Sequence, residues 1–142
     1  MKLPPPEARR RFTASPVARL ATSTADGRPH IVPVTFAADG DLLFFAVDHK
    51  PKSTGDLRRL RNIRANPRVA LLADHYAPDW TTLWWARADG HAEIREADDR
   101  LTALPLLRQK YEQYARQPPA GPVVAVHVHT WTGWSYAEPA PR

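Results

Sequence analysis

The sequence predicts a mainly-β fold in which six to seven antiparallel strands form a barrel, with helices packed on the outside. The first observation is a series of short β-prone runs separated by Asp-Gly pairs, because Gly, and to a lesser degree Asp, accepts the positive φ of tight hairpin turns. The second is a pair of segments with helical periodicity. With 142 residues and 43% apolar content, we expect one domain over residues 1–142 with a single core.

The first third of the chain contains one predicted helix and three predicted strands. Pro6–Thr13 is a short basic helix candidate. The β-prone runs that follow are Val17–Thr24, Pro29–Phe36 and Asp41–Val47, which we expect to form a meander. In the last run both alternating sets of residues are apolar, which indicates a strand buried on both faces.

The middle of the chain predicts a helix and then more strands. Leu57, Leu60 and Ile63 form one apolar stripe that ends before Asn66 and Pro67, as expected for an amphipathic helix. We expect the next strand at Arg68–Asp74.

The following segment predicts a second hairpin and a second helix. Thr81–Arg87 and His91–Arg95 flank the third Asp-Gly pair, Asp89–Gly90, so the two runs are predicted to pair around it. Ala97–Ala115 has apolar residues at helical spacing, and Pro105 predicts a break or kink inside it.

The last predicted strand is Val123–Trp131. Because side chains alternate along a strand, one face is expected to carry three valines, Val124, Val126 and Val128. The opposite face is expected to carry His127, His129 and Trp131.

The strongest candidate for a binding site is the basic segment from His49 to Arg68, which contains seven Lys or Arg and a single Asp. Lys50 and Lys52 lie between a buried strand and the start of a helix, and the hydroxyls of Ser53 and Thr54 follow directly. Free backbone N–H groups at a helix start together with ammonium and hydroxyl groups suit a phosphate. The alternative is a solvated helix face, which we favour for Arg59 and Arg64.

Residue types exclude several classes of chemistry. The chain has no Cys, so thiolate nucleophiles and Cys-ligated metals are excluded, and it has no nucleophile-elbow, zincin or P-loop motif. His127 and His129 could share a metal, but no third ligand is evident, and we predict no metal site. The reactive atom is therefore expected to come from a cofactor. By chemical type alone, proton donors could be His30, His127, His129 or Tyr136.

No apolar run reaches the length of a membrane helix, and the N-terminus lacks the apolar stretch of a signal peptide. We therefore expect a cytoplasmic protein that does not interact with membranes.

Taken in order, these segments resemble the pyridoxamine 5'-phosphate oxidase-like family of FMN-binding split β-barrels, and most closely its short branch of probable coenzyme F420-dependent oxidoreductases. The resemblance runs from about Val17 to Ile94, with a weaker similarity over Val123–Tyr136. No single motif is specific; the order of the motifs carries the resemblance. The segments concerned are 18–22, 26–36, 42–47, 50–52, 57–64 and 66–72.

The resemblance implies a homodimer with two cofactors in grooves between the subunits, and hydride transfer to or from a small-molecule substrate. It implies that the cofactor ring contacts Val32, Pro33, Val34 and Thr35. The phosphate and tail would be held by Val47, Lys50, Lys52, Ser53, Thr54 and Arg58. Because F420 carries an acidic tail, it explains the extended arginine run better than FMN does. The chain lacks the greater length and the C-terminal substrate-binding arginine region of true pyridoxamine-phosphate oxidases, so pyridoxal phosphate synthesis is not expected.

Three alternatives remain open at the level of sequence. The chain could be an FMN enzyme of the same fold or a cofactor-binding protein without turnover. Nucleic-acid binding through the basic helix is disfavoured, because the positive charge lies beside a predicted pocket and no aromatic residues alternate with the arginines.

Overall fold

The computed structural model describes residues 1–47 and 54–138, apart from the side chains of residues 54–57. Four α-helices lie in this part of the chain: α1 (Pro5–Thr13), α2 (Thr54–Ala65), α3 (Ala103–Lys110) and α4 (Glu112–Arg116). The seven strands are β1 (Ala18–Ser23), β2 (Pro29–Val34), β3 (Ala37–Asp39), β4 (Leu42–Ala46), β5 (Arg68–His75), β6 (Trp84–Arg95) and β7 (Val123–Ser135).

The strands form one antiparallel sheet in the order β2-β1-β5-β6-β7-β4-β3. Residues from β2 and β1 near one end of this order and from β4 near the other join the same buried cluster, so the sheet wraps around a single core. This confirms the predicted antiparallel barrel with flanking helices. None of the helices in the described ranges is long and apolar enough to span a membrane.

The core lies between the inner face of the sheet and helices α1 and α2. Phe12 of α1 is fully buried, and its ring lies 5.1 Å from that of Phe36 and 5.4 Å from that of Trp131. Leu60 and Ile63 bring the apolar stripe of α2 into the same cluster, as the sequence predicts. On the outer face, α3 packs on β3 and β4 around a smaller cluster centred on Phe44.

The predicted meander is wrong beyond its first hairpin. β1 and β2 do pair around the Asp26–Gly27 turn, but β4 pairs with β7 and not with β2. Between them lies the short strand β3, in residues predicted to be a turn, and it pairs with β4 around Gly40. Three-residue strands carry too little pattern to be recognised by alternation.

The predicted hairpin at Asp89–Gly90 is also wrong, because β6 continues through this pair as one strand. The register between β6 and β7 shifts there, which marks a β-bulge. A Cβ atom on Gly90 would lie 2.1 Å from the carbonyl oxygen of His127, so glycine is needed here for close approach of two backbones. Thr81, assigned to the first arm of that hairpin, lies in a short 3₁₀ turn.

The bulge also explains why Trp131 departs from the predicted face. Asp89 pairs with Thr130 and Gly90 with Val128, which leaves His129 as the extra residue on β7. The extra residue reverses the alternation, so Trp131 packs on the core side with Phe12. The three valines face the core as predicted.

The predicted second helix is divided into a 3₁₀ turn (Ala97–Arg100), α3 and α4. Pro105 does not cause the break, because it is the third residue of α3, where a backbone N–H would have no partner within the helix. The chain instead leaves the helical conformation at Tyr111, which is extended (φ −123°, ψ 121°).

Candidate functional site

A cleft of about 410 Å³ lies between α2 and the turn that joins β1 to β2. Residues of two segments line it. From the turn and the start of β2 come Thr24, Ala25, Arg28, Pro29 and His30; from α2 come Arg58, Arg61, Asn62 and Ala65. The residues of α2 have helical spacing and therefore lie on one face of that helix.

Hydrogen bonds fix both walls of the cleft. The Thr24 hydroxyl accepts a hydrogen bond from the Arg28 backbone N–H at 2.8 Å, and Gly27, at φ +89°, supplies the left-handed residue of the turn. Across the cleft, the buried Asn62 side chain donates to the hydroxyl of Thr22 on β1 at 3.1 Å. This bond ties α2 to the sheet and orients its arginine face toward the turn.

The cleft is strongly cationic. Arg28, Arg58 and Arg61 are exposed, and the lining includes no carboxylate. None of the three forms an ion pair with another residue that the structure describes. Guanidinium groups bind phosphates and carboxylates through paired hydrogen bonds, so an anion is the ligand that this arrangement fits.

His30 adds an unsatisfied donor or acceptor to this cleft. Its Nδ1 is buried and has no hydrogen-bond partner within residues 1–47 and 54–138. A buried polar atom without a partner costs roughly 1–3 kcal/mol. A ligand in the cleft would relieve this cost.

The structure describes only part of the segment predicted to hold the cofactor phosphate and tail. Lys50, Lys52 and Ser53 lie outside the described residues, and of Thr54 only the backbone, as the first residue of α2, is described. Arg58 lines the cleft.

The side chains predicted to line the cofactor ring do not share one face. Val32 and Val34 point to the core, whereas Pro33, between them on β2, is exposed. Val47 is 3% exposed and joins the same core. A ring lying along β2 would therefore contact a mixture of side chains and backbone.

Thr35 belongs to a cluster of hydroxyl groups that the sequence did not predict. Its hydroxyl is 2.9 Å from that of Tyr114, and the Tyr111 hydroxyl accepts from the backbone N–H of Phe36 at 3.0 Å. Burial raises the pKa of Tyr111. The neighbouring Lys110 has its pKa lowered to about 8 by burial, and its Nζ donates to the carbonyl of Ser15 at 2.7 Å.

The candidate proton donors are spread over the molecule. His30 lies in the cleft, whereas His127 and His129 lie beside His91 on β6 and β7. Tyr136 follows β7 and is 53% exposed. Within the ranges that the structure describes, no three or more His, Asp or Glu side chains are arranged as ligands for a metal ion.

Sequence reasoning missed Arg28, Arg61 and Asn62. Arg28 follows an Asp-Gly turn, and turn residues are commonly polar without a role in binding. Only the packing of α2 against the β1–β2 turn shows that these residues meet. The available signal was the spacing of Arg58, Arg61 and Ala65 on one helical face.

Several solved structures share this fold. A FAD-binding protein from Mesorhizobium loti superposes with a TM-score of 0.71 at 21% identity, covering 94% of this chain and 95% of that chain. A FAD-binding protein from Mycobacterium smegmatis gives 0.65 at 18% identity, covering 94% and 96%. The heme storage protein HutZ from Vibrio cholerae gives 0.69 at 18% identity, covering 92% of each chain.

A search of the curated proteins found no significant match. The family model described as pyridoxamine 5'-phosphate oxidase matches residues 4–135, which is nearly the whole chain and includes both walls of the cleft. Together with the seven-stranded antiparallel sheet and its flanking helices, this match shows that the chain belongs to the pyridoxamine 5'-phosphate oxidase-like split-barrel family.

Proposed function

We propose that this chain binds the deazaflavin coenzyme F420 and acts as an oxidoreductase that transfers hydride between this cofactor and a small organic molecule. The observation that carries the proposal is the cationic cleft, with three arginines that have no described ion-pair partner. Family membership supports the coarser class, a flavin-type cofactor in a split barrel.

The charge and length of the cleft favour F420 over a cofactor with one phosphate. A single phosphate accepts paired hydrogen bonds from one or two arginines, whereas F420 adds carboxylates beyond its phosphate. From Arg58 to Ala65 the α2 wall extends about 10 Å at 1.5 Å per residue. In the proposed arrangement the phosphate lies near Arg58 and the acidic tail continues toward Arg61 and Arg28.

The chemistry of hydride transfer belongs to the cofactor, and the chain supplies binding and orientation. The cleft residues would hold the anionic end, and His30 Nδ1 would gain a hydrogen-bond partner. Thr35, anchored by the Tyr114 hydroxyl at 2.9 Å, would fix the end of β2 against which the ring is proposed to lie. We assign no residue as the proton donor.

A flavin is the second candidate, favoured by the FAD-binding proteins among the structures that share the fold. In that case the cleft would hold a flavin phosphate, and the arginines farthest from it would contribute little. A cofactor-binding protein without turnover would use the same contacts.

We also propose a homodimer that forms through the outer face of the sheet. Cross-strand partners lie on the same face of a sheet, so Ile31, Ala21 and Ala70 form one row across β2, β1 and β5. Ile31 is 65% exposed and Ala21 and Ala70 are half-buried beside it; apolar surface that is continuous across a sheet marks a candidate interface. Light scattering should give a dimer for the wild type and a monomer for Ile31→Arg; a monomeric wild type would contradict this assignment.

The test of the cofactor assignment is fluorescence titration of three arginine variants with F420. Losing a charge-assisted hydrogen bond costs roughly 1.5–3 kcal/mol, so Arg58→Ala and Arg61→Ala should each weaken binding by roughly 10- to 100-fold. Arg64→Ala is the matched control, because Arg64 is an exposed arginine of α2 that does not line the cleft. Equal affinities for all three variants would refute the site.

A further inference from the structure

Three histidines that the proposed function does not use meet on the outer face of β6 and β7. His91 is the register partner of His127, and their rings stack at 4.8 Å. His129 lies two residues along β7, and its ring is 4.7 Å from that of His91. His91 and His129 are exposed and His127 is half-buried, so core packing does not account for three imidazoles at this position.

His129 reaches this cluster from β7. It is the extra residue at the Asp89–Gly90 shift, and alternation from His127 places the two side chains on the same face. The distance between His91 Nδ1 and His129 Nε2 is 2.6 Å. At this distance one ring donates its N–H to the unprotonated nitrogen of the other ring, so a single proton lies between the two nitrogens.

A metal ion could take the place of this proton. Two nitrogens that ligate one tetrahedral zinc at 2.0–2.1 Å are about 3.3 Å apart. The His91–His129 pair therefore needs to open by less than about 1 Å, a side-chain adjustment at an exposed site. Among the described residues, no three of these side chains are already arranged to hold a metal ion. His127, the third ligand, must therefore rotate from its stacked position to reach the metal.

The surroundings of His127 support its role as that ligand. Its Nε2 lies 3.3 Å from a carboxylate oxygen of Glu93, which is held in turn by Arg95 at 2.7 Å. A carboxylate on one ring nitrogen is the usual outer partner of a metal-bound histidine, because it fixes the tautomer and leaves the other nitrogen free to ligate.

From these contacts we propose that His91, His127 and His129 form a binding site for a divalent late transition metal such as Zn²⁺, with a fourth position open to water. Imidazole ligands suit this class of metal. Two histidines two apart on one strand and a third on the neighbouring strand present three nitrogens to one side of the sheet. The proposal is independent of the cofactor assigned to the arginine cleft.

The experiment is calorimetric titration of protein without a histidine tag with ZnCl₂ at pH 7.5. We expect one Zn²⁺ per chain, with binding lost in His91→Gln and His129→Gln. Glu93→Gln should weaken binding by about tenfold. His75→Gln is the control, since His75 is exposed on β5 away from the cluster, and it should bind like the wild type.

Substoichiometric binding by the wild type, or affinity that is unchanged in both cluster variants, would overturn the proposal. A second measurement, on the wild-type protein, tests the site even if the variants do not fold. In wild-type protein, Zn²⁺ should shift the imidazole ¹⁵N resonances of His91, His127 and His129 and leave that of His75 in place. Absence of these shifts at saturating Zn²⁺ would equally overturn the site.

Discussion

Replacing Gly90 with alanine tests the central feature of the sheet, the bulge between β6 and β7. The new Cβ would lie 2.1 Å from the His127 carbonyl oxygen, 2.9 Å from its carbonyl carbon and 3.0 Å from the Cα of Val128. All three atoms belong to the backbone, so no side chain can rotate away. The two strands must separate, in the longest pairing of the sheet.

We expect Gly90→Ala to lower the free energy of unfolding by about 3 kcal/mol or more, at the upper end of the cost of overpacking. Gly40→Ala is the comparison, because a Cβ there meets nothing within 4 Å and only the positive φ of 60° is strained. That strain costs about 1–2 kcal/mol. Urea unfolding followed by circular dichroism measures both values.

A loss below 1 kcal/mol for Gly90→Ala would refute this reasoning. It would mean that the two backbones are not in contact at Gly90, and a hairpin turn at Asp89–Gly90 would again be tenable.

Two further predictions concern the dependence of stability on pH. Hydrogen bonds from Arg10 and Arg11 lower the pKa of Glu7 from 4.5 to about 2. The charged Glu7 side chain therefore contributes about 1 kcal/mol to the free energy of unfolding above pH 4.5, and this contribution is lost as the pH falls toward 2. Acid unfolding curves should show this loss in the wild type and not in Glu7→Gln. Burial lowers the pKa of Lys110 from 10.5 to about 8. Between pH 8 and 10.5 the unfolded chain therefore binds more protons than the folded chain, so the free energy of unfolding should rise with pH. Because the Lys110 side chain is partly exposed, we expect a rise of about 1–2 kcal/mol. Thermal melts should show this rise in the wild type and not in Lys110→Met; a parallel rise in both would contradict the assignment.

The fold class could be predicted from the sequence because alternation, two Asp-Gly turns and one amphipathic helix agree with each other. Asp89–Gly90 could not be interpreted in the same way. Glycine is favoured both in a tight turn and where two backbones approach closely. The sequence alone does not show which of these applies; the pairing with the neighbouring strand does. The prediction for Trp131 is wrong for the same reason: His129, the extra residue of the bulge, reverses the alternation along β7, so Trp131 faces the core and not the outer side.

The candidate site could be predicted only in part, for a related reason. The basic character of residues 49–68 is visible in the sequence, and Arg58, which the resemblance implies as a cofactor-binding residue, lines the cleft. Arg28 and His30 lie about thirty residues away along the chain, and they reach the cleft because Asn62 ties α2 to β1. Contacts of this kind depend on tertiary packing and leave no local pattern.

The most direct test of the central claim is to compare three ligands by fluorescence titration of the wild-type chain: F420, FMN and a deazaflavin riboside without phosphate or tail. If the arginine cleft binds the anionic part of the cofactor, F420 should bind most tightly, FMN less tightly, and the riboside at least tenfold more weakly than F420. Equal affinity for F420 and the riboside would contradict the account, because the arginines would then contribute nothing to binding.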